Sequence, residues 1–328
     1  MRVALISLVT AVAASPMGNN LTSPESRSVD NNLMNNLRFY AQHGAAAYCN
    51  AEGPSPGSSV ACSGGECDDV MRNGATIIST FQGSSTGIAG YVSVDKTRQE
   101  IVFAARGSHN VRNFITDLLF TQRDCDFAPG CKVHNGFAES WNEISAAATS
   151  AIKEGLKANP GYRLVITGHS LGGAVATLGG AYLRRSGFQS VIYTFGTPRV
   201  GNEVFAYFAN SQRGGLFRVT HIDDPVPRLP PMIFGYRHSG TEYWLSNGEA
   251  LQTKYQPAAV EVCRGIENVA CNAGTFGFDI LAHFHYLTDI SDCAPVANKW
   301  KRDANPSDEE LKQRLTKWSQ QDQALGWA

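Results

Sequence analysis

Six residues constrain this chain more than any others: Gly168-His169-Ser170-Leu171-Gly172-Gly173. They stand directly after an apolar run, Tyr162-Arg163-Leu164-Val165-Ile166-Thr167, and directly before the helical pattern Ala174-Val175-Ala176-Thr177-Leu178. A serine at the tip of a tight strand-to-helix turn takes strained backbone angles, and its neighbours two places either side are pressed together. Glycine at 168 and 172 removes the Cβ atoms that would collide. The Ser170 hydroxyl is then held clear of the sheet, with the backbone N–H of Leu171 aimed where an oxyanion would form. The letters Gly-x-Ser-x-Gly are weak by themselves, because both residues are common. Their place between a strand and a helix is what marks a nucleophile turn rather than a solvent loop.

The surrounding pattern sets the fold class. Residues 100–105, 191–195 and 216–220 read as further strands, and helical patterns cover 137–158, 171–185 and 202–212. Strands alternating with helices predict an α/β fold, with a central mainly parallel sheet flanked by helices. The unbroken apolar run Leu164-Val165-Ile166 suits a strand covered on both faces.

The two ends of the 328-residue chain look different from its middle. Arg2 is followed by an apolar stretch from Val3 to Ala14 that ends in small residues, the layout of a secretory signal peptide over residues 1–14. It is too short to span a bilayer, and no later run approaches the roughly 20 residues needed. Residues 15–31 are polar and aperiodic, a pro-segment or flexible arm, and Asn20-Leu21-Thr22 is a glycosylation sequon within it. Residues 32–296 are then one domain, and residues 297–328 a charged tail. Within the tail, Ser307 and Glu310 resemble a helix capping box, which predicts a solvated helix. Lys301-Arg302 is a dibasic pair after which the tail is expected to be removed.

Composition excludes some classes. With 28 Lys and Arg against 29 Asp and Glu the net charge is −1, and no nucleic-acid partner is implied. Only 17 % of residues are charged and 43 % are hydrophobic, so the chain is not disordered. Eight cysteines in an exported chain suggest disulfides. There is no Cys-x-x-Cys pair and no zinc spacing among the histidines, so neither metal nor cofactor is expected.

A nucleophilic serine needs a base and an orienting acid, which in this fold follow in the order Ser, Asp or Glu, His. Asp223 and Asp224 lie in the loop after strand 216–220, where a carboxylate can reach the neighbouring turn. His221 comes too early for that order, and His238 precedes an aromatic segment; both read as structural. His283 and His285 remain, and spacing does not choose between them. His169, inside the turn, reads as a packing residue.

Four ordered motifs then carry a family resemblance: the serine turn, Gly196-Thr197-Pro198-Arg199-Val200-Gly201, the run from Asp224 to Pro231, and Ala282-His283 ahead of Tyr286. Together, over roughly Asn36 to Cys293, the chain resembles the secreted fungal lipases, class 3 lipases of the α/β-hydrolase fold whose family also contains feruloyl esterases. The resemblance implies Ser170 as nucleophile, Asp224 as acid and His283 as base, with His283 and Tyr286 in the family's His-x-x-Tyr frame. It places the oxyanion donors at Ser108, in Arg106-Gly107-Ser108, and at the Leu171 N–H. It also makes the segment after Ser108 a lid.

In that segment Val111, Phe114, Ile115, Leu118 and Leu119 fall at helical spacing on one apolar stripe. An apolar inner face suits a cover that opens on a lipid–water interface. It favours a triacylglycerol lipase over an esterase of soluble esters. Arg112 and His109 depart from the apolar pattern and bring phospholipase A1 activity in as an alternative, beside feruloyl esterase. Similar chains pair Cys49 with Cys293, Cys62 with Cys67 and Cys125 with Cys131, which leaves Cys263 and Cys271 for a fourth bridge. No stable protein partner is implied.

Overall fold

The computed structural model describes residues 29–266, 268–293 and 306–326. The expected leader, its arm through residue 28, the Asn20 sequon and the dibasic pair at Lys301-Arg302 lie outside the described residues. The helices in chain order are α1 (Asn31–Asn50), α2 (Asp68–Asn73), α3 (Val111–Asp117), α4 (Asn135–Ala158), α5 (Leu171–Arg185), α6 (Glu203–Ser211), α7 (Ile280–Phe284) and α8 (Asp308–Gly326). The strands are β1 (Thr76–Gln82), β2 (Ala89–Asp95), β3 (Glu100–Ala105), β4 (Gln122–Asp124), β5 (Lys132–His134), β6 (Arg163–His169), β7 (Ser190–Phe195), β8 (Gly201–Asn202), β9 (Leu216–His221), β10 (Tyr236–Arg237), β11 (Thr241–Leu245) and β12 (Val260–Cys263).

Eight strands form the main sheet in the order β1-β2-β3-β6-β7-β9-β11-β12. The pairs β3–β6, β6–β7, β7–β9 and β9–β11 are parallel, while antiparallel strands close both edges. Four short strands make a second sheet, β10-β8-β5-β4. The α/β architecture and the central strands agree with the sequence pattern. β1, at one edge, escapes it because its burial is uneven, with only Ile77 and Phe81 of its seven residues buried.

Two apolar layers hold the sheet. On one face α1 packs Met34, Leu37, Ala41 and Ala45 against Val102, Val165 and Phe195. On the other, α4 and α5 bring Trp141, Ile144, Ala148, Val175 and Leu178 onto Phe103 and Ile166. Val165 and Ile166 therefore face opposite apolar layers, as a doubly covered strand requires. Four disulfides, Cys49–Cys293, Cys62–Cys67, Cys125–Cys131 and Cys263–Cys271, use every cysteine, with no free thiol among the described residues. The first joins the end of α1 to a residue 244 positions later.

The tail departs from expectation. Its capping box is formed, with Glu310 Oε2 accepting from the Ser307 N–H at 2.7 Å and the Glu310 N–H donating to Ser307 Oγ at 3.3 Å. The helix it starts is not solvated all round. Leu311 and Leu315 are buried against Val111, Ile115, Val226, Leu229 and Phe284, and Trp318 packs on Phe120 at 5.1 Å between ring centroids. Asp322 is buried against Arg199 at 2.6 Å and also accepts from the Met232 N–H at 2.7 Å. No helix among the described residues is long and apolar enough to cross a membrane.

Candidate active site

β6 runs into α5 through a single residue, Ser170, whose backbone sits at φ 56°, ψ −127°. This is the left-handed side of the map, where a side chain is strained. The strain is held by packing: a Cβ on Gly168 would lie 2.3 Å from the carbonyl oxygen of Gly172. The Ser170 N–H donates to Phe195 O at 2.9 Å, locking the tip of the turn to the end of β7. Ser170 is fully buried, and its Oγ has no hydrogen-bond partner.

The expected acid and base come from two loops at the same end of the sheet. Asp224 follows β9, and His283 stands on α7, whose first turn is capped by Asp279 through the N–H groups of Leu281 and Ala282. His283 Nδ1 lies 2.8 Å from Asp224 Oδ2. A carboxylate only accepts, so Nδ1–H is the donor and Nε2 carries the free lone pair. That Nε2 is buried and has no partner. Asp224 is saturated: Tyr286 O–H donates to the same Oδ2, and the Val226 N–H donates to Oδ1 at 2.9 Å. Burial, with Asp224 alongside, pushes the Tyr286 phenol well above its ordinary range and keeps it a donor. Asp223 points elsewhere, against Gly277, and His285 Nδ1 pairs with Leu281 O at 2.7 Å.

Several supporting groups carry no signature that sequence reasoning could isolate. Asn272 donates to the carbonyls of Ile222 and Asp224 at 2.9 and 3.0 Å, fixing the loop that presents the acid. His169 Nε2 lies 2.8 Å from the His283 carbonyl, and its Nδ1 lies 2.8 Å from Tyr48 O–H. With a carbonyl at one nitrogen and a hydroxyl at the other, neutral His169 donates to the first and accepts from the second. Burial drives its pKa well below the ordinary value, first, and the neighbouring His283 adds to this. His169 is therefore a relay that seats the His283 backbone, and not packing alone. Gly196, in the Gly-Thr-Pro-Arg motif, has φ 56°, and a Cβ there would lie 3.0 Å from the His283 ring and 3.1 Å from Asp224 Oδ2.

Most of the remaining expected positions gather around one cavity. Ser108 and Leu171 line one cavity of about 400 Å³ together with Phe114, Leu118, Leu119 and His134. The Ser108 hydroxyl is engaged locally, donating to Asn110 O at 3.1 Å and accepting from the Asn110 N–H at 3.2 Å. Asn110 is also the cap of α3, its Oδ1 accepting from the Asn113 N–H at 2.9 Å. The apolar stripe after Ser108 divides in two. Val111 and Ile115 are buried toward α8, Phe114 and Leu118 face the cavity, and Leu119, beyond the helix end, is 71 % exposed. Arg112 is 2 % exposed and ion-paired to Asp308 of α8 at 3.0 Å. Elsewhere, the sulfurs of Cys49, Cys62 and Cys293 approach the Glu66 carboxylate. All three are bonded in disulfides and offer no thiolate to a metal.

A model of the class 3 lipases matches residues 102–234, which span the turn at Ser170 and the loop of Asp224. The secreted mono- and diacylglycerol lipase 1 of Fusarium solani is 48 % identical over 324 residues, covering 97 % of this chain and 96 % of its own. The chain belongs to the class 3 lipase family. The secreted mono- and diacylglycerol lipase A of Penicillium cyclopium is 37 % identical over 300 residues, covering 88 % of this lipase and 96 % of its own chain. A solved triacylglycerol lipase, whose catalytic centre is formed by a serine protease triad, superposes with a TM-score of 0.71 at 30 % identity. It covers 82 % of this lipase and 99 % of its own chain. The protein is a carboxylic ester hydrolase of the α/β-hydrolase fold.

Proposed function

We propose that this lipase cleaves acylglycerol esters through Ser170, His283 and Asp224. The observation that carries the assignment is the buried Asp224–His283 pair beside a serine held at positive φ. Ser170 Oγ attacks the ester carbonyl as its proton passes to His283 Nε2, and Asp224 stabilises the imidazolium that results. The ester C–O bond then breaks, and the alkoxide leaves with the His283 proton. Water next attacks the acyl-enzyme, giving its proton to His283, and the fatty acid departs as Ser170 is regenerated. The Leu171 N–H and Ser108 stabilise the oxyanion. For Ser108 this requires its hydroxyl to leave Asn110, which ties the oxyanion hole to movement of the α3 lid. Covalent labelling of Ser170 by an organophosphate tests the nucleophile, and label on any other residue would overturn it.

Triglyceride at a lipid–water interface is the substrate that the apolar lid face favours. The 48 % identical relative is named for mono- and diacylglycerols, so partial glycerides are the second reading. Rates on triglyceride emulsion, diacylglycerol, phosphatidylcholine and methyl ferulate separate these from the phospholipase A1 and feruloyl esterase alternatives. A rate that does not rise above the substrate's solubility limit counts against an interfacial lid. Export through the leader at 1–14 completes the reading, and cleavage after Arg302 would cut the chain ahead of α8, whose contacts with Val111, Ile115 and Arg199 hold it on the domain. Secretion of the named relatives and the four disulfides support the export. An intact C-terminal peptide in the mass spectrum of exported protein would refute the cleavage.

A further inference from the structure

Arg112 is the second residue of α3, in a lid whose buried face is otherwise made by Val111 and Ile115. Its Nε donates to Asp308 Oδ1 at 3.0 Å, and its Nη2 donates to the Pro306 carbonyl. Both acceptors belong to the C-terminal segment. The apolar contacts of Leu311 and Leu315 with Val111 and Ile115 close the same joint. A guanidinium is costly to bury without an anion, so a lid carrying Arg112 needs a negative group beside it or must expose it to water. The planar fork of an arginine receives a carboxylate or a phosphodiester equally well.

We propose that Arg112 is an anionic-headgroup site of the lid, which Asp308 occupies while α8 covers α3 and which the phosphodiester of an anionic lipid takes over as α8 leaves. The proposal rests on reading α3 as the lid. The charge pattern of α8 favours such an exchange. Its first turn holds Asp308, Glu309 and Glu310, so a negatively charged surface repels that turn while competing for its counter-ion. The apolar pattern agrees. Leu119, Phe234 and Ile233 are already 71, 49 and 50 % exposed, and Phe120 lies 5.1 Å from both Phe234 and Trp318. Departure of α8 would add Val111 and Ile115 to that patch and turn it toward lipid beside the freed cation.

The test uses the full chain carrying Ser170→Ala, so that lipid is not consumed. Probes are vesicles of phosphatidylcholine with and without phosphatidylglycerol, and inorganic phosphate alone. Phosphatidylglycerol is expected to raise co-sedimentation about fivefold through this one arginine and to speed amide exchange across residues 308–326. Asp308→Asn should strengthen binding to the anionic vesicles, Arg112→Gln should erase the preference for them, and Arg112→Lys should keep part of it. The site is overturned if Arg112→Gln binds anionic vesicles as the parent does, or if α8 stays protected on bound vesicles. Release of α8 by phosphate alone would make this a soluble-anion site and overturn the lipid assignment. Should Arg112→Gln fail to fold, the Asp308→Asn and Arg112→Lys proteins decide the matter. None of these readouts needs turnover, so their failure is distinct from failure of Ser170 labelling.

Discussion

The two sides of Ser170 are built on different principles. On the acid–base side the polar groups are tied within the domain, save the two that face substrate chemistry, Ser170 Oγ and His283 Nε2: Asp224 receives His283, Tyr286 and a backbone N–H, and His169 spans Tyr48 and the His283 carbonyl. On the side of α3 the long-range contacts are mostly apolar, and beyond the local bonds of Ser108 and Asn110 the polar ones come from a helix at the end of the chain. The first arrangement has one low-energy geometry, because any shift leaves a buried polar group unsatisfied. The second is held by an apolar seam and a few arginine contacts, along which the proposed lid would part. Under the proposed reading, a fixed triad beside a separable cover is the division that chemistry on a water-insoluble substrate calls for.

Breaking the fixed side should give the largest effects. Ser170→Ala is expected to lower kcat on a soluble nitrophenyl ester by about 10⁴-fold or more, with folding intact by circular dichroism. Asp224→Asn should cost about 10⁴-fold, because an amide presents the wrong partner to the imidazole Nδ1. Asp223→Asn is the internal control, because its side chain lies against Gly277 and not at the His283 ring. It should stay within severalfold of the parent, and a larger loss in it than in Asp224→Asn would reverse the assignment.

The cover should respond to a different change. Arg199 and Asp322 are 1 and 2 % exposed, and Arg199 also donates to the carbonyls of Arg228 and Pro230. Asp322→Asn removes the only carboxylate among these partners. Breaking one side of a buried pair costs about 3–5 kcal/mol. The loss should appear as fast amide exchange over α8 with protection retained in β6 and α5. Equal loss in all three would mean that the tail and the domain unfold as one unit.

What sequence revealed follows the same line. The nucleophile turn was legible because its requirement is local: glycines two places from a serine, between a strand and a helix. The central strands were legible because burial on both faces leaves continuous apolar runs. The choice of His283 over His285 was not legible from spacing, because both sit within one turn of the Asp279-capped segment and only their tertiary partners differ. The docking of α8 was less legible still. Its buried residues are Leu311, Leu315, Ser319, Asp322 and Gly326, with Trp318 half-buried beside them, set among charges that resemble a solvated helix. The arginine that receives Asp322 lies 123 residues away.

Acid should strain the domain gradually. Burial pushes His43 down to about 3 and His134 down to about 4, and holds His169 and His238 well below the ordinary imidazole range. For each, the folded pKa lies under the unfolded value near 6.5, so the unfolded chain binds protons first as pH falls. Stability is therefore full above about pH 6.5 and declines below it, by up to about 1.4 kcal/mol per pH unit for each such histidine until its folded pKa is reached. Denaturant midpoints measured between pH 7 and pH 4 check the slope, and a flat profile would show that these rings are solvated.

The smallest effect is expected at the outer edge of the cover. Leu119 is 71 % exposed and lines the cavity mouth, so its side chain contributes little to folding. Leu119→Ser should change stability by less than about 0.5 kcal/mol. It should also leave the rate on a soluble nitrophenyl ester unchanged, because no triad contact is touched. The rate on a lipid emulsion should fall severalfold if that leucine meets lipid as the cover parts. Equal losses on both substrates would place Leu119 in the acyl path instead, and would move the boundary between the two sides inward by one residue.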